Sequence, residues 1–240
     1  METNKNHIRQ STEYAEAVAL KLYCFICNYS FDDLISKRRL ENLCAFPDFI
    51  ISNNSFLEVT RSLDEICGKQ NSDIAEVFDS FNKQLAADIV NARNKEFEAK
   101  GFPHNVDFIK ANNYVVSSIP LLSRFEIIAL ILIKAVEKNC EIKSKKLQKG
   151  INVDLFIFGF HPLGPIDLEN LSNMLLHVDF DRHIRKVYTP VVDDRELIIF
   201  EFDVKKKNCS IHKINCLIDW NKIEDKIIEL GWMKGQKYEK

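Results

Sequence analysis

Apolar residues recur every third or fourth position between Thr12 and Tyr29, at Ala15, Val18, Leu22, Phe25 and Ile26. That period predicts an amphipathic helix with Glu13 and Glu16 near its start. A second, short helix is predicted from Asp33 to Leu43. The period then changes. Phe46 to Ile51 and Phe56 to Thr60 are apolar runs separated by Ser52-Asn53-Asn54-Ser55, the composition of a hairpin connection. Each run carries one acid, Asp48 in the first and Glu58 in the second. Strand alternation puts Phe56, Glu58 and Thr60 on one face and Leu57, Val59 and Arg61 on the other. An ionised side chain in a half-buried strand is costly unless a cation or hydrogen bonds compensate it, which makes these two acids the first candidates for chemistry.

Further along, Ser72-Asp73 offers an N-cap to an apolar stripe at Ile74, Val77, Phe78, Phe81, Leu85 and Ile89, and the predicted helix stops at Gly101-Phe102-Pro103. Tyr114 to Val116 predicts a brief strand before Pro120. A long helix follows from Ser123 to Lys149, basic in its last third. Val153 to Phe160 is apolar on both faces, as a central strand covered by helices on each side must be. The loop His161-Pro162-Leu163-Gly164-Pro165 leads to a short helix from Asp167 to Leu176. Strands are predicted at Lys186 to Val192, Leu197 to Val204 and Ile211 to Ile214, and a last helix from Asp219 to Leu230. No repeat or linker divides the chain, so the pattern predicts one α/β domain over residues 1–240.

Composition narrows the function classes only a little. With 33 basic and 35 acidic residues the net charge is close to zero, so any nucleic-acid surface must be local. Seven irregularly spaced cysteines do not make a disulfide framework, and the polar start shows no signal segment. A reducing cytoplasm is the expected setting. The longest apolar run, Ile127 to Ile133, is too short to span a bilayer, so no membrane partner is expected. No glycine-rich phosphate loop or nucleophile elbow is present.

The pair Pro47-Asp48 followed by Glu58-Val59-Thr60 resembles the PD-(D/E)XK nuclease superfamily, in which acids on neighbouring strands hold a magnesium ion against the scissile phosphate. The resemblance implies a restriction-endonuclease-like mixed sheet flanked by helices. It implies an endonuclease that hydrolyses phosphodiester bonds of nucleic acid, DNA first, and it admits a homodimer. The metal site implied is Mg²⁺ or Mn²⁺ on Asp48, Glu58 and the Val59 carbonyl, an oxygen set suited to either ion. Glu16 is the further ligand from the first helix. The sequence departs from the motif where Thr60 replaces the lysine that helps activate water. Arg61, Lys69, Lys83 and Gln84 are the candidate substitutes, Gln84 because it borders the apolar stripe. If a basic or amide group fills the vacated space, the enzyme reading holds. If apolar groups fill it, the alternative is a catalytically inactive module of the same fold that binds nucleic acid or a protein.

Two other patterns compete. His177, Asp179, Asp181 and His183 recur with period two and would share one face of a strand, but the segment lacks β-branched residues and reads better as a polar connection. Cys24 and Cys27 read as buried thiols in a helix. Of the basic clusters, Lys37-Arg38-Arg39 precedes the acidic hairpin and is placed to neutralise phosphates there.

Overall fold

The computed structural model describes residues 12–38, 47–62, 108–111, 114–117, 124–159, 161–193, 196–215 and 218–232. The chain divides into two compact units, one of residues 1–62 with 124–240 and the other of residues 63–123. In the smaller unit, strands β3 (Phe108–Ala111) and β4 (Tyr114–Ser117) pair antiparallel, where the sequence predicts only the second of them. The expected helix from Ser72 to Gly101, and with it Lys69, Lys83 and Gln84, lies outside the described residues.

The larger unit is a mixed six-stranded sheet with five described helices, in agreement with the expected α/β class. Its elements are α1 (Thr12–Cys27), α2 (Phe31–Ile35), β1 (Phe49–Ser52), β2 (Ser55–Arg61), α3 (Arg124–Ser144), β5 (Asn152–Phe158), α4 (Pro165–Leu175), β6 (Ile184–Asp193), β7 (Glu196–Asp203), β8 (Asn208–Lys213) and α5 (Trp220–Glu229). The strand order is β1-β2-β5-β6-β7-β8. Strands β2, β5 and β6 run parallel in the middle, while the β1–β2, β6–β7 and β7–β8 neighbours are antiparallel. The parallel β2-to-β5 connection includes α3, which packs on both strands.

Local chemistry sets the boundaries. Helix α1 ends because Asn28 adopts a left-handed conformation (φ 57°), which returns the Tyr29 N–H to the Cys24 carbonyl. Ser30 caps α2, which stops at Ile35, shorter than expected, because Arg38 is drawn into a bridge with Phe49. Asp219 caps α5, and Gly231 (φ 60°) follows its end. At α4, Pro165 occupies the first turn and the Asp167 carboxylate accepts the Gly164 N–H.

The core lies on both faces of β5, as its apolar run from Leu155 to Phe158 demands. On one face Phe156 and Phe158 join Leu57, Val59 and Phe49 in a cluster with Val18, Leu22 and Tyr23 of α1 and Ile223 and Ile227 of α5. Leu155 and Ile157 are equally buried on alternate positions of the strand. Among the described residues no helix is long and apolar enough to cross a membrane.

Candidate metal centre and its lysine

The hairpin register builds the site. Phe49 pairs with Leu57, and the next step of that ladder would set Asp48 opposite Glu58. Asp48 stands one residue before β1 and not within it, and its Oδ2 accepts the Val59 N–H at 2.7 Å. A strand residue aims its N–H and C=O at the same neighbour, so the Val59 carbonyl faces the edge that Asp48 occupies. Asp48 is thus tied to Val59 and lies near enough to Glu58 for its charge to act on that carboxyl.

Glu58 is almost fully enclosed. Its side chain is 3% exposed, its Oε1 accepts from Lys138 Nζ at 2.7 Å, and its buried Oε2 has no hydrogen-bond partner. Lys138 comes from α3 and also donates to Glu141 Oε2 at 2.9 Å, while Lys145 pairs with the other oxygen of Glu141 at 3.2 Å. Sequence reasoning missed this lysine. Thr60 is half-buried on the strand, on the same face as Glu58.

Glu16 reaches the edge of the same cluster, where Arg38 holds its Oε2 with Nε at 2.8 Å and a terminal nitrogen at 2.7 Å. The Arg38 guanidinium also lies 4.4 Å from the centre of the Trp232 ring. Its side chain is 9% exposed, which corrects the expectation that this arginine meets phosphate. It is a buried counter-charge to Glu16.

The electrostatics follow from crowding three carboxylates out of water. Burial pushes Glu58 up to about 8, reinforced by the charge on Asp48. Burial, again with Asp48 beside it, pushes Glu16 up to about 7 against the pull of Arg38. Asp48 is likewise raised by burial, although the Val59 N–H, Lys138 and Arg38 oppose the rise. Burial pulls the Lys138 ammonium down, but Glu58 and Glu141 override it and hold it above its ordinary range. These groups form one electrostatic unit, alternately negative and positive.

Among the described residues no three His, Cys, Asp or Glu side chains gather as a ready cation cage. A divalent ion at this site would rest on two carboxylates, a main-chain carbonyl and water. The unpartnered Glu58 Oε2 fits such a role, because an orphaned buried oxygen is otherwise a standing cost.

The rival residues are not brought together on a strand. His177, Asp179, Asp181 and His183 lie on the connection from α4 to β6, as a polar connection should. Asn139 of α3 donates to the Asp179 carbonyl at 3.0 Å and accepts the Asp181 N–H at 2.7 Å. Asp179 pairs with Lys143, Asp181 accepts the His183 N–H, and His183 Nδ1 meets the Ile151 carbonyl at 2.8 Å. Cys24 is buried and its thiol pushed up to about 12, whereas Cys27 is half-buried, with Sγ 3.9 Å from the Tyr188 hydroxyl.

Two further polar clusters serve the frame. Ser62 Oγ and His161 Nε2 lie 2.6 Å apart, both buried, and join the end of β2 to the loop after β5. Asp154 accepts from the Tyr23 hydroxyl at 2.8 Å and from Arg185 Nε at 2.9 Å. Comparison with known protein-family models, curated proteins and solved structures returned no match.

Proposed function

We propose that this chain is a divalent-metal-dependent nuclease, of the kind the PD-(D/E)XK resemblance implies, with Lys138 in the place that Thr60 leaves vacant. The observation that carries the reading is the ammonium 2.7 Å from Glu58, delivered by the helix between the parallel strands β2 and β5. A basic group, and not an apolar one, occupies the acidic face. The hairpin β1–β2 followed, after β3, β4 and α3, by β5 parallel to β2 supports the same reading, although the helix expected directly after the hairpin lies outside the described residues.

Mg²⁺ or Mn²⁺ would be held by Glu58, Asp48 and the Val59 carbonyl, and when bound it would lower the pKa of a water and offset charge building on phosphorus. The chain's own groups do the rest. The Val59 N–H fixes Asp48 by binding one of its oxygens, so the other is presented in a defined direction. Lys138 remains protonated beside Glu58 and Glu141 and orients a phosphate oxygen or the attacking water. Arg38 holds Glu16 at the margin, where the glutamate tempers the positive end of the cluster and stays within reach as the additional acid.

Nucleic acid is the substrate class, with DNA ahead of RNA. Incubating plasmid DNA and single-stranded RNA with the protein in Mg²⁺ or Mn²⁺ tests the reading. Cleavage should be stronger in Mn²⁺ and vanish in Asp48→Asn and Glu58→Gln variants that keep wild-type circular dichroism. Binding without cleavage under every condition would favour the inactive nucleic-acid-binding module. Cleavage that survives both substitutions would place the chemistry elsewhere.

A further inference from the structure

Lys138 is shared between two carboxylates of different character. Glu58 is enclosed and is a ligand in the reading above, whereas Glu141 is on the same helix, 36% exposed at its side chain, and bound on its far oxygen by Lys145. A divalent ion on Glu58 and an ammonium 2.7 Å from the same carboxylate compete for one negative charge. An ion on the free Oε2 would weaken the hold of Oε1 on the ammonium, and at 2.9 Å a second acceptor is already in place.

We propose that Glu141 is a positioning residue that receives Lys138 when a divalent ion takes Glu58, keeping the lysine at the site instead of expelling it into solvent. The proposal rests on the metal-site reading and adds to it an exchange of counter-ions. Helical spacing supports it. Residues three apart share a face, so Lys138 swings toward Glu141 by side-chain rotation alone, with no movement of α3. Lys145, one turn further on, holds the receiving carboxylate in place. The exchange also links the metal to the substrate. A phosphate arriving at Lys138 takes over the charge that Glu58 gives up, so each ligand should strengthen binding of the other by the same factor.

The test is a double-mutant cycle read as Mn²⁺ affinity by paramagnetic resonance, with no cleavage assay involved. Glu141→Gln lies on the partly exposed face of α3 and should fold normally. It should weaken Mn²⁺ binding by about fivefold in the wild-type background, the scale of one partly exposed ion pair. In a Lys138→Gln background the same change should have no effect, because nothing remains to be received. Lys138→Met repeats the cycle should the Gln variant misfold. Equal weakening in both backgrounds would make Glu141 a direct ligand and overturn the proposal. No weakening in either, with Mn²⁺ still lost in Asp48→Asn, would overturn it while leaving the metal site intact. No Mn²⁺ binding by the wild type would overturn the metal-site reading itself.

Discussion

Glu58→Gln offers the sharpest probe of the buried acid cluster, because its effect on stability should reverse in importance with pH. The wild-type carboxyl is held up to about 8 against an ordinary value of 4.5, first by burial and then by Asp48. A folded-state pKa above the unfolded one means that the folded protein binds the extra proton. Its contribution is fully present below about pH 4.5 and is lost as pH rises through about 8. At about 1.4 kcal/mol for each pH unit, that window carries on the order of 5 kcal/mol, an upper figure because Lys138 and Asp48 share the adjustment. Gln keeps the volume and titrates nowhere in the range. Urea unfolding of metal-free protein at about pH 5 and about pH 8.5 should find the wild type weakened at the higher pH by a few kcal/mol more than the variant. Added Mn²⁺ should restore the wild type at high pH and leave the variant unmoved. If the two proteins lose stability in parallel from pH 5 to 8.5, Glu58 is not the burdened group and the electrostatic account of the site is wrong.

Other expectations follow from individual contacts. Lys138→Met should lower kcat/KM by about 10²-fold or more, and single-turnover kinetics on plasmid would show it. Thr60→Lys alone should not accelerate cleavage, whereas in the Lys138→Met background it should recover part of the loss. Gly159→Ala should destabilise the protein by about 1–3 kcal/mol in urea, since the new Cβ would stand 2.5 Å from both His161 Nε2 and Ser62 Oγ, which are already locked to each other. Tyr23→Phe should cost about 1 kcal/mol and Asp154→Ala about 3–5 kcal/mol, because the second leaves Tyr23 and Arg185 facing a buried gap.

Much of the frame was legible because the hydrophobic period is strong where the chain is buried. The turn residues Asn53 and Asn54 mark the hairpin, and the two-sided apolar run of β5 marks a central strand covered by helices, which the structure pairs in parallel with β2 and β6. Asp48 and Glu58 stood out as acids in apolar company. Lys138 did not, and α3 shows why. Ile127, Ile128, Ile131, Ala135 and Ile142 turn inward, but Phe125, Ile133 and Val136 of the same helix are exposed. With apolar residues on opposite sides, the period fixes a helix without saying which side is covered. Once the inward stripe is known, Lys138 lies on it, three positions after Ala135 and four before Ile142. A lysine in a buried stripe is a strong signal, yet it can be read only after the phase of the helix is settled. The pairing itself joins residues 80 apart in sequence, which local spacing does not encode.

Thr60 then has a physical reason. A lysine there would share the strand face of Glu58, the face that Lys138 already reaches from α3. Two ammonium groups about 5 Å apart repel by about 3 kcal/mol at an effective dielectric constant of about 20. Glu58 offers only one carboxylate to divide between them, and Glu141 already serves both Lys138 and Lys145. One enclosed acid supports one ammonium. In the proposed reading the lysine stands either on the strand or on the helix, and a neutral hydroxyl at position 60 agrees with the helical solution. This is why the single Thr60→Lys change should bring no gain: it adds a charge to a site that has its charge. Only when Lys138 is removed does the strand position become the better place for it, so the order in which the two substitutions act separates a relocated lysine from a lost one.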